Sequence, residues 1–355
     1  MRVGLIGAGG HGKWHRRRIA SLDVTLAGMA DPAPVEDAGD VPVFTDHREL
    51  LSSVPLDVVV ICTPPHTHLP IALDALRAGC DLLLEKPPVV SRAEHEVLAT
   101  ALASTGRACQ VGFQALGSAA LARLAPGTYP RVATVASWQR DDAYYARATW
   151  AGRQGLGDGA LVNPLAHALM QSLAVIGDDP VSLTAERYRT RPIATDDTVF
   201  ARVGFRGGAT LLAAVTLAGE DFIAGEVIAD GPAGRVVLEY PTDRLRLPGS
   251  DPVEVPGRID LLDNLIAHRR DGTPLVAPLA RTLGFTTLAA ALTGGPLPAL
   301  LDDAFITDLG AGAGRVRVIT GINAVLWRAA STGRLPAELD VPWASSEGAL
   351  HMTFA

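Results

Sequence analysis

Residues 3–12 read Val3-Gly4-Leu5-Ile6-Gly7-Ala8-Gly9-Gly10-His11-Gly12. A short apolar run ends in glycines spaced G-x-G-x-x-G, and Lys13-Trp14-His15-Arg16 opens a segment of helical length behind it. Taken alone, the glycine spacing is weak evidence. Between the end of a strand and the start of a helix it acquires a physical meaning. Gly7 permits a tight turn, Gly9 lets the backbone approach a pyrophosphate, and Gly12 packs helix against strand. The helix N-terminus adds free N–H groups and the positive end of a dipole.

Working outward, Arg2–Ile6, Val24–Met29, Val41–Phe44, Asp57–Cys62, Cys80–Leu84 and Cys109–Phe113 are short apolar runs. They are separated by helical-length segments such as Gly12–Ser21, His66–Ala78 and Arg92–Ser104. Strands buried on both faces and alternating with helices predict a doubly wound α/β domain with a parallel sheet, here residues 1–118. The second strand leads to Asp31, where a carboxylate accepts hydrogen bonds from adenosine ribose hydroxyls and repels a 2′-phosphate. Pro32-Ala33-Pro34 follow with no arginine, so NAD is favoured over NADP. Beyond residue 118 one helix, Asn163–Ile176, precedes a run of strands. These are Ser182–Tyr188, Thr198–Phe205, Ala209–Leu217, Glu226–Asp230, Arg235–Tyr240 and Arg244–Leu247, with hairpin turns between them. That predicts an α+β domain over 119–355 with an antiparallel sheet. Helices are expected again over Ile259–Arg270, Leu279–Leu292 and about 304–331.

Composition excludes several classes. With 355 residues, 48 % hydrophobic and 19 % charged, the chain is neither disordered nor too short for a large core. A net charge of −7 argues against a nucleic-acid or anionic-membrane partner. Three widely spaced cysteines form no disulfide or zinc pattern, which fits the cytoplasm. The opening residues do not read as a signal peptide. The uncharged stretch 282–301 reaches the length of a membrane span, but Gly294-Gly295-Pro296 and Pro298 break it into a buried helix and a loop. Of the 31 basic residues only Lys13 and Lys86 are lysines, as in a protein from a GC-rich bacterium. A lysine retained against that bias invites a chemical reason.

Two further motifs stand at strand ends: Thr63-Pro64-Pro65-His66-Thr67-His68 and Glu85-Lys86-Pro87-Pro88. An open α/β sheet binds its ligand at the carboxyl ends of its strands. The ordered set Gly7-x-Gly9-x-x-Gly12-x-x-His15, Asp31, Thr63-Pro64-Pro65-x-x-His68, Glu85-Lys86-Pro87 and Val111-Gly112-Phe113-Gln114 resembles the Gfo/Idh/MocA oxidoreductase family. The resemblance implies a Rossmann domain followed by an α+β domain with a large, mostly antiparallel open sheet. Its C-terminal helix is expected to pack back towards the first domain. The resemblance further implies nicotinamide-dependent oxidation or reduction of sugars or cyclitols by homodimers or homotetramers that pair through the sheet. By the same resemblance Gly7, Gly9, His11, Gly12, Asp31, Thr63, Pro64, His68, Glu85, Lys86 and Gln114 line the cofactor. Lys86 corresponds to the active-site lysine and His167 to the histidine of a DxGxH segment, which here reads Asn163-Pro164-Leu165-Ala166-His167. The carboxylate has become an amide.

The residue chemistry suits these roles. Histidine titrates near neutrality and can take the O–H proton as a hydride leaves carbon. A lysine ammonium can hydrogen-bond the reacting oxygen and stabilise alkoxide character. Asn163, four residues before His167 on the expected helix, would share its face as an orienting group, or act as the helix N-cap. The segment 141–153 places Tyr145, Trp150 and Arg153 as candidate sugar contacts, in a chain with only 5 % aromatics. No catalytic metal is expected. Two other readings stay open: a glycosidase that keeps NAD bound and oxidises transiently, and a non-catalytic NAD-binding sensor or regulatory protein.

Overall fold

The computed structural model describes residues 1–354; Ala355, the last residue of the expected second domain, lies outside the described residues. The chain separates into two compact units. One takes Met1–Gln114 and then Ile259–Thr286, and the other takes Ala115–Arg258 and the chain from Thr287 on.

In the first unit the strands β1 (Arg2–Ile6), β2 (Thr25–Ala30), β3 (Val43–Phe44), β4 (Val58–Ile61), β5 (Asp81–Leu84) and β6 (Cys109–Val111) form a parallel sheet ordered β3-β2-β1-β4-β5-β6. Val3, Leu5, Val58, Val59, Val60 and Ile61 are fully buried. Strands enclosed on both faces lose the period-2 alternation, which is why they read as continuous apolar runs. Helices Gly12–Ala20, His68–Arg77 and Arg92–Thr105 supply crossovers. The strand order reverses between β1 and β4, and a sheet of this kind binds ligands at the carboxyl end of that switch point.

The segment 259–286, expected in the second domain, packs on this parallel sheet instead. Its helix Leu261–Asp271 sends Arg269 to Asp81 at 2.6 Å and to Asp57 at 3.2 Å. The Val111 N–H donates to the Ala277 carbonyl at 2.8 Å. The Gln110 amide donates to Asn264 Oδ1 at 2.7 Å and accepts from the Ala277 N–H at 2.9 Å. The reason is the edge: β6 ends the sheet, and its outward N–H and C=O groups need partners that the returning segment supplies.

The second unit adds β7 (Arg131–Gln139), β8 (Pro180–Arg189), β9 (Thr198–Phe205), β10 (Thr210–Thr216), β11 (Ala218–Gly231), β12 (Gly234–Glu239), β13 (Arg244–Arg246), β14 (Val253–Glu254), β15 (Ala299–Leu300), β16 (Ile306–Leu309), β17 (Val316–Ile319) and β18 (Leu350–Thr353). A ten-stranded sheet among the described residues runs β14-β13-β12-β11-β7-β10-β9-β8-β15, with β18 also on β8. It is antiparallel except where β7 meets β10 and β8 meets β15. Helix Ala166–Ile176 buries every residue except His167.

The helix expected over 304–331 is shorter and differently placed. It spans Ile322–Thr332, while 306–319 forms the hairpin β16–β17. Gly310 and Gly312 between those strands take φ of +72° and +57°, which closes the hairpin and forbids a continuous helix. The helix buries Ile322, Leu326, Ala329 and Ala330 in a core with Val135, Phe200 and Leu212 of the large sheet. The uncharged stretch 282–301 resolves into helix Leu283–Gly294 and then β15. No helix among the described residues is long and apolar enough to cross a membrane.

Candidate functional site

In the first unit the glycine loop follows β1. Gly7 has φ +87°, and a Cβ there would meet the Cys62 carbonyl oxygen at 2.5 Å. A Cβ on Gly12 would stand 2.0 Å from the Gly7 oxygen. Both positions demand glycine. Asp31 Oδ2, just beyond β2, accepts the N–H groups of Ala8 at 2.9 Å and Gly9 at 3.1 Å, while Oδ1 accepts from Ala33. The Gly10 and His11 N–H groups donate to no acceptor among the described residues. Two open amides at a helix N-terminus, with an acid at the next strand end, fit a dinucleotide.

Behind the loop a buried cluster holds the Glu85-Lys86 motif. Glu85, 8 % exposed, has Oε1 2.9 Å from His15 Nε2 and 3.4 Å from His11 Nε2. Its Oε2 accepts the Lys86 N–H at 3.1 Å. Burial acts to raise the carboxyl pKa, but the hydrogen bonds and charge of His11 and His15 outweigh it and hold it well below the usual range. His15 was visible in the motif, but its pairing with Glu85 was not foreseen. The three ligand atoms lie within 4.8 Å of one another, close enough for a metal ion. Yet His15 Nδ1 is buried without a hydrogen-bond partner, whereas a metal-bound histidine ordinarily anchors its second nitrogen. The cluster reads as an anchor for the Lys86 backbone.

His68 corrects the sequence reading. It is fully buried, with Nδ1 2.9 Å from the Pro87 carbonyl and Nε2 2.8 Å from the Thr63 carbonyl. Burial lowers its pKa, and the ring ties the two proline-rich strand ends together. An enclosed ring has no surface left for a cofactor. Thr63 Oγ1 accepts from Thr67 Oγ1 at 2.7 Å, and Pro64 precedes a single 3₁₀ turn, Pro65–Thr67. The Lys86–Pro87 peptide is cis. Gln114 opens the 3₁₀ turn Gln114–Gly117, its N–H bonded to the Gly112 carbonyl at 3.1 Å.

In the second unit, His167 sits on the first turn of helix Ala166–Ile176, its ring 5.0 Å from that of Tyr240. Asn163 is not on that helix, nor is it the N-cap, which is Leu165. It precedes Pro164, and the residue before a proline is driven out of the helical region. Its amide instead donates to Asp158 Oδ1 at 3.0 Å. Asp158, 3 % exposed, also accepts the Gly152 N–H at 2.8 Å and lies 3.6 Å from the Arg147 guanidinium. Arg147 covers the rings of Tyr144 at 3.8 Å and Trp150 at 4.8 Å.

Tyr145 faces a different neighbour. Arg191 lies over its ring at 4.6 Å, and its hydroxyl is buried without a hydrogen-bond partner. Burial holds the phenol well above its ordinary pKa. Arg153 is exposed, its N–H bonded to the Trp150 carbonyl at 3.2 Å. Asp158 and Tyr240 were missed. Asp158 lay in a glycine-rich stretch that suggested only a loop, and Tyr240 read as a strand end.

Two family models match the chain. One, described as oxidoreductase family, NAD-binding Rossmann fold, covers residues 1–113, and the other, the GFO/IDH/MocA C-terminal domain, covers 119–236. The chain is 29 % identical over 209 residues to the uncharacterized oxidoreductase YdgJ of Escherichia coli, covering 56 % of this chain and 60 % of that protein. It is 34 % identical over 122 residues to inositol 2-dehydrogenase 4 of Saccharopolyspora erythraea, covering 32 % of this chain and 36 % of the relative. The matches thus span less than two thirds of either relative. In fold it is similar to the WlbA dehydrogenase from Bordetella pertussis, solved with NADH and UDP-GlcNAcA. The TM-score is 0.69 at 22 % identity, covering 85 % of this chain and 99 % of that one.

Proposed function

The chain belongs to the Gfo/Idh/MocA oxidoreductase family, and from that premise we propose that it transfers a hydride between NAD and a secondary alcohol or ketone of a sugar, sugar derivative or cyclitol. The observation that carries this reading is the loop after β1. There Gly7 and Gly12 tolerate no side chain, two amides remain open for an anion, and Asp31 stands at the next strand end. Gly10 and His11 would hold the pyrophosphate, and Asp31 the adenosine ribose. Bound there, the nicotinamide supplies the hydride acceptor or donor.

The chain's own residues handle the proton. His167 takes it from the substrate hydroxyl, and the Lys86 ammonium hydrogen-bonds the same oxygen as negative charge develops. Glu85 holds the Lys86 backbone N–H, so the lysine departs from a fixed point while its flexible stem moves the charge. NAD is favoured over NADP because Asp31 repels a 2′-phosphate. The nearby arginines are also engaged: Arg16 bonds the Glu36 carbonyl at 2.8 Å and Arg18 bonds Asp260 at 2.8 Å. The same reading has two or four copies pairing through the large sheet, which light scattering would count.

The test is NADH absorbance with the purified protein, NAD and myo-inositol, D-glucose or UDP-GlcNAcA, and the reverse reaction on their keto forms. On the substrate that responds, Lys86→Ala and His167→Ala are expected to lose at least about a hundredfold in kcat while NAD still binds. Wild-type rates in both variants would overturn the assignment of these residues.

A further inference from the structure

We propose that a ladder of aromatic rings and arginines beside the start of helix Ala166–Ile176 is a subsite for the nucleoside diphosphate arm of a substrate sugar, with Arg140 holding the phosphates and Phe222 stacking on the base. The inference rests on the reading above that a sugar reacts at His167, and it narrows that sugar to a nucleotide-linked one.

Strand alternation places the ladder. Along β7 the side chains of residues 134, 136 and 138 point to one face of the sheet. Thr134 bonds Ser172 of helix Ala166–Ile176, so Trp138 stands on the face that this helix covers. One turn earlier in the helix, Ala168 meets β11: a Cβ on Gly225 would lie 3.5 Å from that of Ala168. The neighbouring Ala224 carbonyl accepts the Trp138 indole N–H at 3.0 Å. Trp138 is thereby tied beside the helix turn that carries His167. The carbonyl is available because β11 slips register against β7 on both sides of Ile223, and such bulges re-aim the groups they displace.

From Trp138 the contacts run in two directions. Phe222 stacks on its ring at 6.3 Å and 23°, and at 72 % it is the most exposed large apolar side chain among the described residues. Arg140, half-buried, has Cζ 4.9 Å from the centre of the Trp138 ring and 5.1 Å from that of Tyr144. Arg147 and Trp150 continue the series from Tyr144.

Charge singles out Arg140. Four arginines lie over aromatic rings among the described residues. Arg147 has Asp158 at 3.6 Å, Arg191 has Asp142 at 3.1 Å and Arg258 has Asp243 at 2.7 Å. Arg140 has no carboxylate partner among the described residues, and one N–H donates to the Gln139 carbonyl at 2.8 Å. Rings over a guanidinium occupy its faces and leave its N–H edge to bond. That edge matches the oxygens of a phosphate, and charge-assisted bonds of this kind are the strong ones. A neutral sugar brings no charge to balance it. Phe222, one ring further on, is the flat apolar surface on which a base stacks.

Calorimetric titration of UDP and of inorganic pyrophosphate into the full chain, with NAD in excess so that the glycine loop is filled, tests the subsite. UDP is expected to bind the wild type. Arg140→Gln keeps a flat amide between the rings and removes the charge, and should weaken UDP and pyrophosphate at least about tenfold each. Phe222→Ala should weaken UDP about tenfold and pyrophosphate by no more than about twofold. Arg235→Ala removes an exposed arginine paired with Asp230, and UDP affinity should stay within about twofold of wild type.

No UDP binding by the wild type, unchanged affinity in Arg140→Gln, an equal loss in Arg235→Ala, or UDP binding that NAD abolishes would overturn the proposal. So would glucuronate binding more tightly than UDP, which would make this a subsite for a sugar carboxylate. If Arg140→Gln is not recovered folded, Phe222→Ala decides: loss of UDP with pyrophosphate retained supports the subsite, and no loss refutes it. Turnover separates the subsite from the oxidoreductase reading. On UDP-glucose, Arg140→Gln should raise KM about tenfold with kcat within about threefold. A chain that binds UDP in this way and oxidises no sugar keeps the subsite and loses that reading. One that oxidises D-glucose or myo-inositol and binds no UDP keeps the reading and loses the subsite.

Discussion

Replacing Glu85 by glutamine keeps the shape of the side chain and removes its charge. The wild-type carboxylate is 8 % exposed, meets His15 at 2.9 Å and the Lys86 N–H at 3.1 Å, and has His11 at 3.4 Å. A glutamine can present an accepting oxygen to one of these donors only, and its NH2 then faces the other. One hydrogen bond to a charged group is lost, at about 1.5–3 kcal/mol. For a domain of this size that corresponds to a drop of roughly 4–10 °C in melting temperature at neutral pH. The dependence on pH is the sharper test. The folded-state pKa of Glu85 lies well below the ordinary carboxyl value. Its contribution is thus fully present above the unfolded pKa, about 4.3, and is lost as pH falls through the folded value. The difference in melting temperature between wild type and Glu85→Gln should therefore be fully developed just above the unfolded pKa of about 4.3 and shrink as the pH falls below it. Taking the difference cancels the other carboxylates that both proteins share. Calorimetry across that range measures it, and a gap that is absent, or constant down to pH 3, would refute the reasoning.

Three further outcomes are expected. Lys86→Arg should cost about a hundredfold or more in kcat with NAD affinity within about threefold, because a planar guanidinium cannot replace a compact, movable ammonium; kinetics and an NAD titration separate the two. Gly12→Ala puts a methyl group 2.0 Å from the Gly7 oxygen, so helix and loop must part. That should cost about 1–3 kcal/mol in thermal unfolding and weaken NAD binding at least tenfold. Asp31→Ala removes the acceptor of the Ala8 and Gly9 N–H groups, so NAD affinity should fall about tenfold while the disadvantage of NADP narrows, read as the ratio of the two dissociation constants.

Where burial is uniform, the sequence was a sufficient guide. Val3 to Ile6 and Val58 to Ile61 are apolar because both faces are covered, and the glycine spacing located the tight turn at Gly7 and Gly12. Strand β7 was overlooked because Thr134 and Ser137 interrupt its apolar character. Both are fully buried, Thr134 bonded to Ser172 and Ser137 to Asn323 at 3.0 Å, partners distant in the chain. A buried polar residue with a remote partner looks like a surface residue in one dimension. Asn163 is a different lesson. Pro164 already spoke against the helical reading, but spacing to His167 was weighed more heavily than the local restriction of a residue before proline. His68 failed for a third reason: it opens the helix His68–Arg77 rather than ending a strand, and only three-dimensional burial reveals that its ring is occupied by carbonyls. The boundary near 118 followed a change in element type, which cannot register a segment that returns to an earlier sheet.

That return has a consequence for biosynthesis. The residues that satisfy the outer edge of β6, Asn264 and Ala277 among them, are made long after the strand itself. At roughly 5–20 residues per second, the ribosome needs on the order of 10–30 s to pass from Gln114 to Thr286. During that interval the nascent parallel sheet carries an open edge, while the intervening 115–258, only the first part of the second unit, emerges. A fragment ending near residue 118 would keep that edge for good and should self-associate, whereas a chain extended through Thr286 carries its own cover.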